Sequence, residues 1–160
     1  MRPGQILVAD HAGVYVIKMV GDVRLTLCIS FDQFIDTMFS RDDFCDVMFD
    51  LSEAEAIDST TLGLMAKIAL QGREEKGITP VIFSNNDSIN RLLQTMGFQE
   101  IFTIVSDLEA PMQPEQPLAM DANEEQQVKE KVIEAHKILM GLNQDNRETF
   151  RNLVKMLEER

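Results

Sequence analysis

Two short β-branched, apolar runs, Ile6 to Ala9 and Val14 to Val20, flank the polar break Asp10-His11-Ala12-Gly13. A Gly in a tight break between such runs predicts a hairpin. Gly21-Asp22 interrupts the second run, and Arg24 to Cys28 alternates polar and apolar as a half-buried or edge strand does. Helical spacing follows. Ser30 stands three residues before Gln33, the spacing of a capping box, and Phe31, Phe34, Ile35, Met38 and Phe39 then share one face until Ser40-Arg41-Asp42-Asp43. Val47 to Leu51 reads as a buried strand and Ser52 to Asp58 as an acidic loop. Ser59 then opens a helix with Leu62, Met65, Ala66, Ala69 and Leu70 on one face, and Gly77 past its charged last turn predicts a left-handed cap. Val81-Ile82-Phe83 is a further strand. Asn85-Asn86-Asp87-Ser88 opens a short helix through Leu92, Leu93 and Met96, Gly97 closes it, and Ile101 to Val105 is the last strand of the series.

From Val47 onward the order is strand, helix, strand, helix, strand, which demands parallel strands with helices packed on the sheet. With the N-terminal hairpin added, the prediction is an α/β domain with a mixed sheet flanked by helices, over residues 1–109. Pro111, Pro114 and Pro117 mark residues 110–127 as an extended polar linker. In residues 128–160, Val128, Val132, Ala135, Leu139 and Leu142 recur at steps of three or four, with a break near Gly141. Asp145 with Glu148 can cap a second helix, in which Phe150, Leu153, Val154 and Leu157 share a face. This C-terminal helical hairpin has two outcomes open to it. It docks on its own domain, or it forms a second surface for a partner or for self-association.

Charge narrows the classes of ligand. The 160 residues carry 15 Lys and Arg against 27 Asp and Glu, a formal net charge of -12. Nucleic acid and anionic membrane both need clustered cations, so neither is expected as a partner, and a basic protein surface is favoured. The two cysteines, Cys28 and Cys45, form no C-x-x-C pair and cannot make a disulfide framework. The N-terminus lacks a signal-peptide pattern, and no apolar run approaches the roughly 20 residues of a membrane helix. These features predict a soluble, cytoplasmic protein.

The most unusual loop-to-helix junction is Asp58-Ser59-Thr60-Thr61. Three successive hydroxyls exceed what capping requires, since one N-cap oxygen serves one or two backbone amides. From Asp32 to Asp58 there are nine acidic residues and one basic, Arg41, so the most acidic stretch ends at Ser59. Such a hydroxyl suits charge-controlled docking. Capping alone remains the simpler explanation for Asp58 or Ser59.

The same residues carry a family resemblance. Ile57-Asp58-Ser59-Thr60-Thr61-Leu62-Gly63, after Val47 to Leu51, resembles the signature of STAS domains of the anti-sigma factor antagonist family, and Gly21-Asp22-Val23 resembles that family's turn between its first strands. The likeness spans about residues 6 to 107. It implies a STAS-like fold and phosphorylation of Ser59 by a partner that is both serine kinase and anti-sigma factor. It also implies a cognate serine phosphatase, and a docking surface formed by Asp58, Thr60, Thr61, Leu62 and Gly63. Thr61 replaces the family's Gly, and the C-terminal hairpin exceeds the usual family length. The whole chain is similar to a gamma-proteobacterial branch associated with motility and biofilm formation.

A response-regulator receiver domain is the alternative, with Asp50 as phosphoryl acceptor and Val81 to Ser84 supplying a strand-end hydroxyl. Against it, Val14 to Val20 reads as a strand where a receiver needs a helix, and Ile101 to Asp107 holds no Lys. His11 and His136 lack neighbours at metal-ligand spacing and read as surface or packing residues. Gly63 and Gly72 are too isolated for a phosphate loop, and the Met-rich faces read as core. The chain is expected to be no enzyme, with no metal and no cofactor.

Overall fold

Alternating burial builds the sheet from its hairpin outward. In the computed structural model, which describes residues 2–107, 116–118 and 125–159, β1 (Gln5–His11) turns through Ala12 and Gly13 into β2 (Val14–Val23). Both turn residues have positive φ, 54° and 92°, and Asp10 Oδ1 accepts the Gly13 N–H at 2.8 Å. The two positive φ values match the strand twist of a two-residue hairpin. A 3-10 turn (Leu25–Leu27) and α1 (Cys28–Ser40) lead into β3 (Asp46–Ile57), then α2 (Ser59–Lys76) and β4 (Val81–Phe83). α3 (Asp87–Thr95), a 3-10 turn (Phe98–Glu100) and β5 (Thr103–Val105) complete the series. β6 (Gln116–Pro117), α4 (Glu125–Met140) and α5 (Gln144–Glu158) follow.

The sheet order is β5-β4-β3-β2-β1-β6. β2–β3, β3–β4 and β4–β5 pair in parallel, while β1 is antiparallel to both β2 and β6. The expected mixed α/β sheet is therefore present. Its centre is apolar, with Phe49, Leu51 and Ile17 fully buried. Most of residues 110–127 lie outside the described residues, Pro111 and Pro114 among them, but Gln116 and Pro117 pair with Val8 and Leu7. No helix among the described residues is long and apolar enough to cross a membrane.

Several local expectations are corrected. Arg24 to Cys28 is no strand: Leu25–Leu27 form a 3-10 turn that runs into α1. Ser30 is no cap, because α1 starts at Cys28 after Leu27, which supplies no side-chain cap. Gly21-Asp22 does not break β2, which absorbs both residues with register shifts against β3. Ser52 to Ile57 is not a loop but the second half of β3, where Glu53 and Glu55 are exposed while Ala54 and Ile57 are buried. Asn143, not Asp145, caps α5, its side chain accepting the Asn146 N–H at 2.7 Å.

α4 and α5 pack on the domain. Ala135, Leu139, Phe150 and Val154 are buried, and α4 lies against α2 and α1. That docking explains why α2 is buried almost all round its first three turns, on the sheet side through Leu62 and Met65 and on the outer side at Gly63. Only Leu70, expected on the apolar face, is left 36% exposed.

Candidate functional site

The site grows from the end of β3. Asp58 N–H donates to Val23 O at 3.0 Å, which fixes the chain as it leaves the sheet. Asp58 is extended, and its Oδ1 accepts the Thr61 N–H at 2.9 Å while its carbonyl accepts the first helical bond from Leu62. The aspartate thus does the capping. The Ser59 hydroxyl is left for another use.

That use is a contact with the C-terminal hairpin. Ser59 Oγ lies 2.6 Å from His136 Nε2 on α4. His136 Nδ1 lies 2.6 Å from the Val132 carbonyl oxygen. A carbonyl only accepts, so Nδ1 carries a proton, and in that tautomer Nε2 accepts from the Ser59 hydroxyl. The ring is 2% exposed and meets Phe150 edge-on at 4.9 Å.

Around this pair α2 and α4 are in close contact. A Cβ placed on Gly63 would fall 2.2 Å from Ala135 O, so only glycine lets the helices approach this far. Farther along, Lys67 Nζ bridges Asp32 at 2.8 Å and Glu134 at 2.7 Å, and Lys131 Nζ bridges the same two at 2.7 and 3.0 Å. α1, α2 and α4 are thereby tied by two cations and two carboxylates. Burial pushes the Asp32 carboxyl up, but hydrogen bonds from Lys131 and Lys67, with their charges, outweigh it and hold it below its ordinary value.

Of the residues singled out by sequence, Asp58 and Ser59 are half-buried, Thr60, Thr61 and Leu62 are buried, and Gly63 lies beneath α4. Glu53 and Glu55 are engaged elsewhere: Arg2 pairs with Glu55 at 2.9 Å, and Glu53 pairs with Lys18 and Arg2. Asp58 is therefore the acid nearest Ser59 along the chain, and the alternating Glu-Ala pattern was the sign that Ser52 to Ile57 is strand. On the other side of Asp58 opens a cleft of about 520 Å³ lined by Asp22, Arg24, Leu25, Thr26, Ala56 and Ile57. Sequence reasoning missed His136, Asp32, Lys67, Lys131 and Glu134. Their only signal was position, on or beside the apolar stripes of their helices.

Asp50 does not behave as a receiver's acceptor. It lies inside β3 at 1% exposure, β3 runs on to Ile57, and its Oδ1 accepts the Ser52 N–H at 2.9 Å. The strand β2 also occupies the place of a receiver's first helix.

Residues 5–110 match the family model of the STAS domain. The chain belongs to the STAS domain family. Its fold is similar to that in "Crystal Structure of an Anti-sigma Factor Antagonist from Mycobacterium paratuberculosis", with a TM-score of 0.56 and 22% identity over 67% of this chain and 89% of that one. Comparison with curated proteins gives no match. α4 and α5 lie beyond the span of this STAS match.

Proposed function

We propose that this STAS domain is an anti-sigma factor antagonist that works as a partner switch through Ser59. With Ser59 unmodified it binds an anti-sigma factor that is also its serine kinase. Phosphorylation releases it, and a cognate serine phosphatase resets it. The family resemblance connects this switch with motility and biofilm formation, and we place it in the cytoplasm. Residues 1–109 form the switch domain; the helical extension begins with α4 at Glu125 rather than at 128, and the linker before it adds Gln116 and Pro117 to the sheet edge.

The observation that carries this reading is that Asp58 alone takes the capping amide, which leaves the adjacent Ser59 hydroxyl without a capping duty at the first turn of α2. A phosphate there adds roughly -1.5 to -2 charges beside Asp58. The amides and dipole of the α2 N-terminus favour it on the free protein, whereas burying it in a protein interface without partner cations costs several kcal/mol, on the order of the penalty for a desolvated ion. Docking is lost without refolding. Asp58, Thr60, Thr61, Leu62 and Gly63 shape that interface, Asp58 and Gly63 by contact and the other three by holding the backbone.

Phosphosite mapping by mass spectrometry after incubation with the cognate kinase and ATP tests the assignment. Phosphate on Ser59 supports it; phosphate chiefly on Thr60, Thr61 or Asp50 overturns it. Capture with Ser59→Ala and Ser59→Asp baits identifies the partner, which the alanine form should retain.

A further inference from the structure

The α4–α5 hairpin does more than extend the domain, because of where it sits. It covers the outer face of α2 from its first residue, at the place where a partner reading Ser59 has to dock. Three independent contacts define this coverage. His136 holds the Ser59 hydroxyl at 2.6 Å. Ala135 lies on Gly63 at a separation that excludes even a methyl group. Lys131 and Glu134 complete the charge pairs of Asp32 and Lys67.

Ala135, Leu139 and Phe150 join the buried core, but the charged edge of the same contact stays partly open to water. Lys67 and Lys131 keep 21% and 27% of their side chains in water, and Glu134 keeps 34%. Val128 and Val132, on the same stripe as Ala135 and Leu139, are only half-buried. Partly hydrated charges and a half-covered apolar rim are the anatomy of an interface that opens.

We propose that the face formed by α1 and the first three turns of α2 is a helix-docking surface, and that α4 is its built-in occupant. Its external partner, the protein that reads Ser59, presents an amphipathic helix of α4's chemistry. That helix carries a small residue against Gly63, a cation four residues earlier that reaches Asp32, and apolar residues one turn to either side. Docking of that helix and docking of α4 exclude each other. Ser59 is accordingly withheld from a kinase while α4 is seated, because α4, held on Gly63 and at the Ser59 hydroxyl, stands where the kinase has to approach. The reading of Ser59 as the switch underlies this assignment, which adds the regulation of that site and the type of segment it accepts.

The test uses the full chain and a fluorescently labelled peptide of residues 125–159 as the probe helix. Ala135→Leu overfills the contact with Gly63 and unseats the chain's own α4 while leaving the docking face intact. The peptide should bind this variant at least tenfold tighter than it binds the wild-type chain, whose face is filled. Adding Gly63→Ala to the variant should abolish that gain, because the obstruction is then on the face itself. Amide hydrogen exchange in residues 125–158 should rise in Ala135→Leu while β2 and β3 stay protected. If β2 and β3 lose protection, Lys131→Glu, which sets an anion against Asp32, replaces it with the same expected gain. Equal peptide binding by wild type and both opening variants, or unchanged exchange in residues 125–158, overturns the proposal. Neither kinase nor anti-sigma factor enters this assay, so its failure is separate from a failure to find phosphate on Ser59.

Discussion

The Ser59 hydroxyl and the His136 imidazole, 77 positions apart in the chain, form one hydrogen bond of 2.6 Å, with the imidazole proton held by Val132 O. The bond couples the candidate switch residue to the C-terminal hairpin. Ser59→Ala leaves a buried Nε2 without its donor, and His136→Ala leaves a hole against Phe150. Each should lower stability by about 1–3 kcal/mol, the range for a buried polar group that loses its partner. The double variant should fall short of the sum by about 0.5–3 kcal/mol, the coupling expected for residues in contact. Urea unfolding of the four proteins measures this directly; strict additivity would mean that the pair is not formed in solution.

Asp32 makes hairpin docking acid-sensitive. Its folded pKa lies below its ordinary value of 3.8, so its stabilisation is fully present above that value and is lost as pH falls through the folded value. Lys67 and Lys131 shift upward, so their share is present at neutral pH and fails only under strong alkali. Asp32→Asn should cost about 1.5–3 kcal/mol at pH 7, the range for hydrogen bonds to charged groups. It should also flatten the decline in stability as pH falls through 3.8 and below. Equilibrium unfolding across that range, wild type against variant, provides the check.

Asn146 pins the far end of the hairpin. It is 2% exposed, and its Nδ2 donates to Met96 O and to Leu139 O, both at 2.9 Å. Asn146→Ala deprives two carbonyls and should cost about 1–3 kcal/mol. The melting temperature should fall by about 2–4 °C for each kcal/mol. Asn146→Asp, which removes the donor and buries a charge, should cost more. An unchanged melting temperature in both variants would show that the hairpin is not seated on α3.

The mixed α/β class and the main helices were legible because their signals are local. The apolar runs at Val14, Val47 and Val81, the caps at Asp58 and Asn86, and Gly77 and Gly97 at positive φ each follow from a few adjacent residues. The errors have one source. Ser52 to Ile57 was read by its charge, although its Glu-Ala alternation fits the two faces of a strand, and the pairing that settles it comes from β2. Ser30 offered a cap to a helix that tertiary packing had already started at Cys28. Ser59 could be found from its neighbours. His136 could not, because its meaning depends on a contact made across the linker. The Asp32–Lys131 and Lys67–Glu134 pairs were invisible for the same reason.

The central claim is that one phosphate on Ser59 separates two binding states. Affinity of the captured partner for the singly phosphorylated and the unmodified protein, measured side by side by isothermal titration calorimetry, tests it most directly. The account predicts at least a tenfold weaker interaction for the phosphorylated form, about 1.4 kcal/mol. Equal affinities for the two forms would contradict it.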